Sequence, residues 1–211
     1  MKSKTDILSI VGSWQEVVDD CRSSVNKPPL GKEPSKEFKL GLLIAEHTPI
    51  RLIRIRWRWT NLPSWVATHW VRNTFYKVVS TQRSDRTGVP RNKLPQDVPV
   101  TYTGAANPQH LIDTARKRLC FQASPETRRQ AEDLKATLKP LQPEISFVMV
   151  PNCIYRCGCP EIDGGCGWYQ KTMERYQNLE IDSTDIQKRY YTYNELFYAT
   201  RNGELNDNTI H

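Results

Sequence analysis

No stretch of the 211 residues is apolar for long enough to span a bilayer, and the N-terminal MKSKTDILSIVG lacks an apolar core followed by a cleavage site. Together these absences predict a protein with no membrane span that works inside the cell. Acidic side chains are in short supply. Against 23 Asp and Glu stand 30 Lys and Arg, giving a net charge of +7 and a pI near 9.1. Such a surplus predicts an anionic partner, either nucleic acid or a small phosphorylated ligand. Hydrophobic content is 38% and mean hydropathy is -0.64, so an adequate core should lie under a very polar surface. With no secretory leader in view, six cysteines point to metal or free thiols rather than disulfides.

The clearest periodicity lies at 51–59, RLIRIRWRW. Ile53, Ile55, Trp57 and Trp59 alternate with Arg54, Arg56 and Arg58. This predicts a strand with one apolar and one cationic face. The arginines either guard a half-exposed edge against aggregation or line a phosphate site or a subunit contact. Like charges on one face repel, so a partner is expected, such as acidic residues of another subunit.

Residues 64–88 follow. Ser64, after Pro63, reads as a helix N-cap. Trp65, Val66, His69 and Trp70 share one helical face, and the helix ends at Arg72 and Asn73. An extended run over 75–80 leads to Gln82, Arg83, Ser84, Asp85 and Arg86. A helix delivering one Arg, then a loop with Ser and two more, can build an anion pocket. A solvated basic loop is the alternative.

Elsewhere, residues 6–11 predict a short buried strand. Ser13 and Glu16 have capping-box spacing and start a helix whose stripe is Trp14, Val17, Val18 and Cys21. Residues 27–34 form a proline-rich loop. Ser35 caps a helix with Phe38, Leu42 and Leu43 inward. A short strand is expected at 100–103. Asn107-Pro108 and Ser124-Pro125 each open a helix, with apolar stripes through Leu111, Ile112, Ala115 and Leu119, and through Ala131, Leu134 and Leu138. Residues 145–150, ISFVMV, read as a strand or a short buried segment.

Cys153, Cys157, Cys159 and Cys166 then fall within one Gly-rich loop, spaced C-x3-C-x-C-x6-C. No standard zinc finger has this pattern. A structural metal, zinc ahead of an iron–sulfur cluster, stands against free thiols, with a disulfide as third option. The polar, aromatic tail from Gln170 reads as a helix with a lid or a partner-binding arm. The divisions are thus 1–150, a Cys-rich knuckle at 151–169, and an extension at 170–211.

The order of these pieces resembles the flavin-dependent thymidylate synthases over most of residues 5–145, in the form of a short, divergent, phage-type member. Cys21-Arg22-Ser23-Ser24 looks like the family's A-R-x-S element, and Glu46-His47-Thr48-Pro49 like its H-x-S-P-x-E-H element. The helix ending at Arg72 looks like the carrier of the R-H-R triplet. Gln82-Arg83-Ser84-Asp85-Arg86 resembles the end of R-H-R-x-x-S-x-N-E-x-S-x-R-Y. Asn107 and Arg118 have the N-x(10)-R spacing, and Ser124-Pro125-Glu126-Thr127-Arg128 resembles A-Q-x-E-I-R. The resemblance implies an α+β fold with an antiparallel-rich central sheet flanked by helices, to which the Cys-rich loop and C-terminal extension are added. It implies a cytoplasmic homotetramer, in the host cytoplasm if viral, that methylates or otherwise modifies C5 of dUMP. FAD would be the cofactor, with NADPH and methylenetetrahydrofolate as co-substrates. Gln82, Ser84 and Arg86 would hold the nucleotide, and Arg118 would contact the pyrimidine and stabilise charge on a ring oxygen. Arg72, Asn73, Asn107 and Asp113 would be the flavin contacts.

The departures bear mostly on flavin. The triplet reads Arg72-Asn73-Thr74, the N-E pair reads Thr81-Gln82, and the final Tyr is Thr87. The competing expectation is a catalytically inactive relative, a metal-containing module that binds nucleic acid or protein through its basic face.

Overall fold

The computed structural model describes residues 3–177, 182 and 184–204. Four strands, β1 (Lys4–Val11), β2 (Arg54–Pro63), β3 (Tyr76–Val79) and β4 (Pro99–Ala106), form one antiparallel sheet in the order β1-β2-β4-β3. Among the described residues the helices are α1 (Trp14–Ser23), α2 (Lys36–Ile44), α3 (Ser64–Val71), α4 (Ser84–Thr87), α5 (Pro108–Arg118), α6 (Pro125–Leu138), α7 (Pro143–Val148), α8 (Asn152–Arg156), α9 (Trp168–Gln177) and α10 (Ile186–Arg201). The fold is the expected mixture of helices around an antiparallel sheet. None of these helices is long and apolar enough to cross a membrane.

The sheet is built on β2. Ile55, Trp57 and Trp59 are fully buried, while Arg54, Arg56 and Arg58 are exposed. The alternation therefore puts the core on one side of the sheet only. The strand begins at Arg54 rather than Arg51, because Pro49 starts a 3-10 turn over Thr48–Leu52. Trp57 stands opposite Gly104 of β4. A Cβ on Gly104 would lie 2.4 Å from the indole ring, so the ring occupies the space a side chain would need. Trp59 continues the seam onto Trp70 of α3 at 4.6 Å and Tyr102 of β4 at 5.1 Å between ring centroids. This seam anchors α3 to the sheet.

Local signals fix most helix starts. Ser13 Oγ accepts the Glu16 N–H at 3.2 Å while Ser13 N–H donates to Glu16 Oε2 at 2.7 Å, a complete capping box. Ser35 caps α2 in the expected way, but Phe38 is 45% exposed and Leu40 turns inward with Leu42 and Leu43. The first turn of α2 thus lies outside the packed interface. Ser64 is the first residue of α3 and not its cap, and its hydroxyl accepts from Gln82 Nε2 at 3.1 Å. β1 pairs on one side only, with β2, and is half-exposed rather than buried. Residues 145–148 belong to helix α7, not a strand, because Pro143 and Glu144 set a helical first turn ahead of the apolar run.

The tail contributes to the core. α10 packs on α7 and α8 and buries Tyr190, Tyr193 and Leu196. Lys135, fully buried in α6, ties these helices together. Its ammonium donates to the Ser146 carbonyl of α7 and, at 2.7 Å, to Asn194 Oδ1 of α10. Burial first, and then nearby Lys139, pull its pKa well below the ordinary lysine value.

Gly104→Ala is expected to push the Trp57 ring out of place and cost about 1–3 kcal/mol. In a chain of this size that corresponds to a fall in Tm of roughly 2–4 °C per kcal/mol. Thermal and denaturant unfolding of the variant check it, and an unchanged Tm would contradict the packing described.

Candidate active site

Helix α3 presents three faces. Val66 and Trp70 are buried against the core. Ser64, Ala67, Thr68 and Val71 line an open cavity of about 290 Å3, closed on its far side by Ser80, Gln82, Arg83 and Arg91. Trp65, His69 and Arg72 recur at the remaining helical positions, and His69 meets α5 and α6 there.

The first cavity contains part of the expected anion loop. Gln82 is fixed by its bond to Ser64. Ser84 starts the short helix α4, and its Oγ accepts the Arg91 N–H at 3.0 Å. The serine proton remains available to donate to an anion. Arg83 is held by Asp85 through two bonds of 3.0 and 2.8 Å, while Arg86 is exposed and only loosely paired with Asp85 at 3.9 Å. Arg91, not singled out from the sequence, joins the cavity wall because the 3-10 turn Arg91–Lys93 folds back on α4.

On the other flank, Arg118 Nη2 donates to the His69 carbonyl at 2.7 Å. Its Nε is buried with no partner among the described residues. Burial, then the charge of Arg72, lower the Arg118 pKa. His69 Nδ1 lies 2.7 Å from Thr127 Oγ1, which accepts from Ser124 Oγ at 2.8 Å. Thr127 thus links the His69 ring to Ser124, and the side of the bond that carries the proton depends on the imidazole tautomer. Burial and the charges of Arg118 and Arg72 depress the His69 pKa. The cluster is cationic, and Arg118 keeps guanidinium donors beyond the one spent on His69. It suits stabilisation of negative charge on a bound oxygen. The Ser124–Thr127–His69 chain was not legible in the sequence, where Ser124 reads as a helix cap.

The other expected flavin contacts are engaged in the chain's own structure. Asn73 Nδ2 donates to the Trp70 carbonyl at 3.0 Å, ending α3. Asn107 Oδ1 accepts the His110 N–H at 2.9 Å as the N-cap of α5. Asp113 accepts from Arg116 at 3.2 Å, and Arg116 also pairs with Glu46 and stacks on Tyr155 at 3.6 Å. Arg72 and Asp113 are the exposed members of the set, and no hydrogen bond or ion pair to Arg72 is seen among the described residues.

The two remaining family-like elements meet across a cavity of about 810 Å3, where Cys21, Ser23 and Ser24 face His47, Thr48 and Pro49. Arg22 is directed elsewhere, to the Pro28 carbonyl at 2.5 Å. A third cavity, of about 240 Å3, lies between α6 and α10. Here Arg128 stacks on Phe121 at 4.1 Å, and Phe121 stacks on Trp168 at 5.3 Å. Its α10 wall comes from residues whose sequence signal was only a polar, aromatic tail.

Cys153, Cys159 and Cys166 line one small cavity together with Cys120. Cys157 does not. It caps α8 in a left-handed conformation, is exposed, and accepts a hydrogen bond from the Tyr169 hydroxyl at 3.3 Å. The set gathered by the fold thus exchanges Cys157 for Cys120. Among the described residues, no three His, Cys, Asp or Glu side chains are drawn in closely enough to hold a metal ion. Burial, and then the neighbouring thiols, push the Cys153 pKa up to about 12.

No protein family model matches the sequence. No curated protein matches it either. Among solved structures, the chain is similar to the UMP/dUMP methylase PolB from Streptomyces cacaoi, bound with 5-Br dUMP, with a TM-score of 0.57 at 12% identity. The likeness covers 70% of this chain and 94% of PolB. The chain thus shares its overall fold with that protein.

The environment of His69 predicts a pH effect on stability. With a folded pKa below the ordinary value of about 6.5, neutral His69 contributes stability that is complete above that value. It is lost as pH falls through the lowered folded value. His69→Asn should flatten the slope of unfolding free energy between roughly pH 5 and 7, as read by denaturant titration. An unchanged slope would contradict it.

Proposed function

We propose that the chain binds a uridine nucleotide and modifies C5 of its pyrimidine, as the flavin-dependent thymidylate synthases do with dUMP. The supporting observation is the fold itself, shared with a UMP/dUMP methylase over nearly all of that protein's length. In this reading Ser84 and Arg86, with Gln82 beside them, hold the phosphate. Ser84 donates its hydroxyl proton while its oxygen accepts from Arg91. Arg118 lies against the pyrimidine. Its guanidinium, already fixed by the His69 carbonyl, meets a ring oxygen as electron density builds there. His69, its pKa lowered by burial and then by the charges of Arg118 and Arg72, leaves the positive charge at that site to the arginines.

Reduced FAD would supply the hydride chemistry, with NADPH as reductant and methylenetetrahydrofolate as carbon donor. Arg72 is the chain's own group for a flavin phosphate. Asn73, Asn107 and Asp113 do not fit that role while they cap α3, cap α5 and pair with Arg116. The phosphate loop and Arg118 flank different faces of α3, so the complete site would use a second copy of the chain. A homotetramer, as in the family, would provide it.

The exposed row of Arg54, Arg56 and Arg58 supports a second reading, an inactive relative that binds nucleic acid. Asp6, opposite Arg58 in the ladder, pairs with Lys4 at 2.7 Å. Binding to DNA or RNA that weakens steeply with salt, without dUMP binding, would favour this reading.

Calorimetric titration of the purified chain with dUMP, after FAD reconstitution, is expected to show saturable binding. Arg118→Ala and Arg86→Ala should each weaken it roughly tenfold to a hundredfold, the worth of a charge-assisted hydrogen bond. Normal binding by both variants would overturn the assignment. Flavin bands that survive desalting and shift on adding dUMP would support the cofactor, and a colourless protein that binds dUMP would remove it.

A further inference from the structure

We propose that Cys120, Cys153, Cys159 and Cys166 bind one zinc ion, which locks the α5–α6 junction to the Cys-rich loop. Cys120 lies 33 positions before Cys153 and is absent from the local cysteine pattern. The fold brings it there because α5 ends at Arg118 and the chain turns directly beneath α8. The four residues line a cavity of about 20 Å3, room for about one water-sized object. A single ion is smaller still, and four thiolates are a tetrahedral zinc set. The sulfurs would close onto the ion by side-chain rotation, since they are not yet at coordinating distance.

The loop is shaped for this closure. Gly165 has φ +70, and a Cβ there would lie 2.3 Å from Cys159 Sγ, so only glycine lets the loop fold over that sulfur. The neighbouring left-handed Gly164 and Gly167 complete the knuckle that carries Cys166 back. The left-handed conformation of Cys157 turns its own sulfur away, to Tyr169. A buried cation stands close by. Arg189 donates to the Ile154 carbonyl at 2.8 Å and the Tyr155 carbonyl at 3.2 Å, in the helix that carries Cys153. It would offset the net negative charge of a tetrathiolate zinc. On binding, four thiols release four protons to solvent, four S–Zn bonds form, and no electron is transferred. Trp168, two residues after Cys166 and stacked on Phe121, would be held in place by the ion, so the site would also shape the cavity between α6 and α10.

The test uses tag-free full-length chain produced with added zinc, with elemental analysis and mass mapping of alkylated cysteines. The expected result is a single equivalent of zinc per chain. Cys120, Cys153, Cys159 and Cys166 should resist iodoacetamide until a chelator removes the metal, while Cys157 and Cys21 react at once. Cobalt in place of zinc should give the intense visible bands of a tetrahedral thiolate site. Cys120→Ser should lose the metal and Cys157→Ser should keep it. If Cys120→Ser fails to fold, the alkylation map of the unaltered chain decides. Protection of Cys157 in place of Cys120 would overturn the proposal. So would a disulfide within the set, a brown iron–sulfur absorption, or no bound metal with all four thiols reactive.

Discussion

The strict alternation of β2 is the constraint on which the rest of the structure depends. Ile55, Trp57 and Trp59 must leave water, and their ladder neighbours must make room. Gly104 yields its side-chain space to one indole, and Trp70 and Tyr102 pack on the other. Through Trp70 the seam sets the position and rotation of α3. Through that rotation it decides which residues of α3 face the polar cavity and which face Arg118. A change buried in the sheet would therefore reach both halves of the site.

The parts of the fold legible in the sequence are those with local causes. The β2 alternation, the Ser13–Glu16 capping box and the Asn107-Pro108 helix start each arise within a few residues, and each appears in the structure. Where tertiary packing overrides the local pattern, the reading shifts. Residues 145–150 read as a strand or a short buried segment; they are largely buried, and 145–148 are helical. Phe38 has the right phase to be buried, yet the helix first turn has nothing to pack on. The tail's place in the core was hidden because its anchors are polar. Lys135, Arg189 and Asn194 are buried through partners far away in sequence.

The candidate site shows the same division. Arg72, Gln82, Ser84 and Arg118 were visible as residue types in a familiar order. Their partners were not. Thr127 holds the His69 ring across 58 positions, and Arg91 reaches Ser84 only because a 3-10 turn folds back. Cys120 joins the cysteine cavity from outside the local run. Long-range pairings of this kind leave no periodic trace in one sequence. The structure also separates residues that the family pattern groups together, since Asn73, Asn107 and Asp113 are engaged within the chain.

The central claim is that a uridine nucleotide binds beside α3 with its base against Arg118. A crystal structure with 5-bromo-dUMP tests it most directly, because the anomalous signal of bromine marks C5. The account predicts bromine on the Arg118, His69 and Arg72 side of α3, with the phosphate at Ser84 and Arg86 of a second copy of the chain. Bromine in the cavity between α6 and α10, or against the Arg54, Arg56 and Arg58 face, would contradict it.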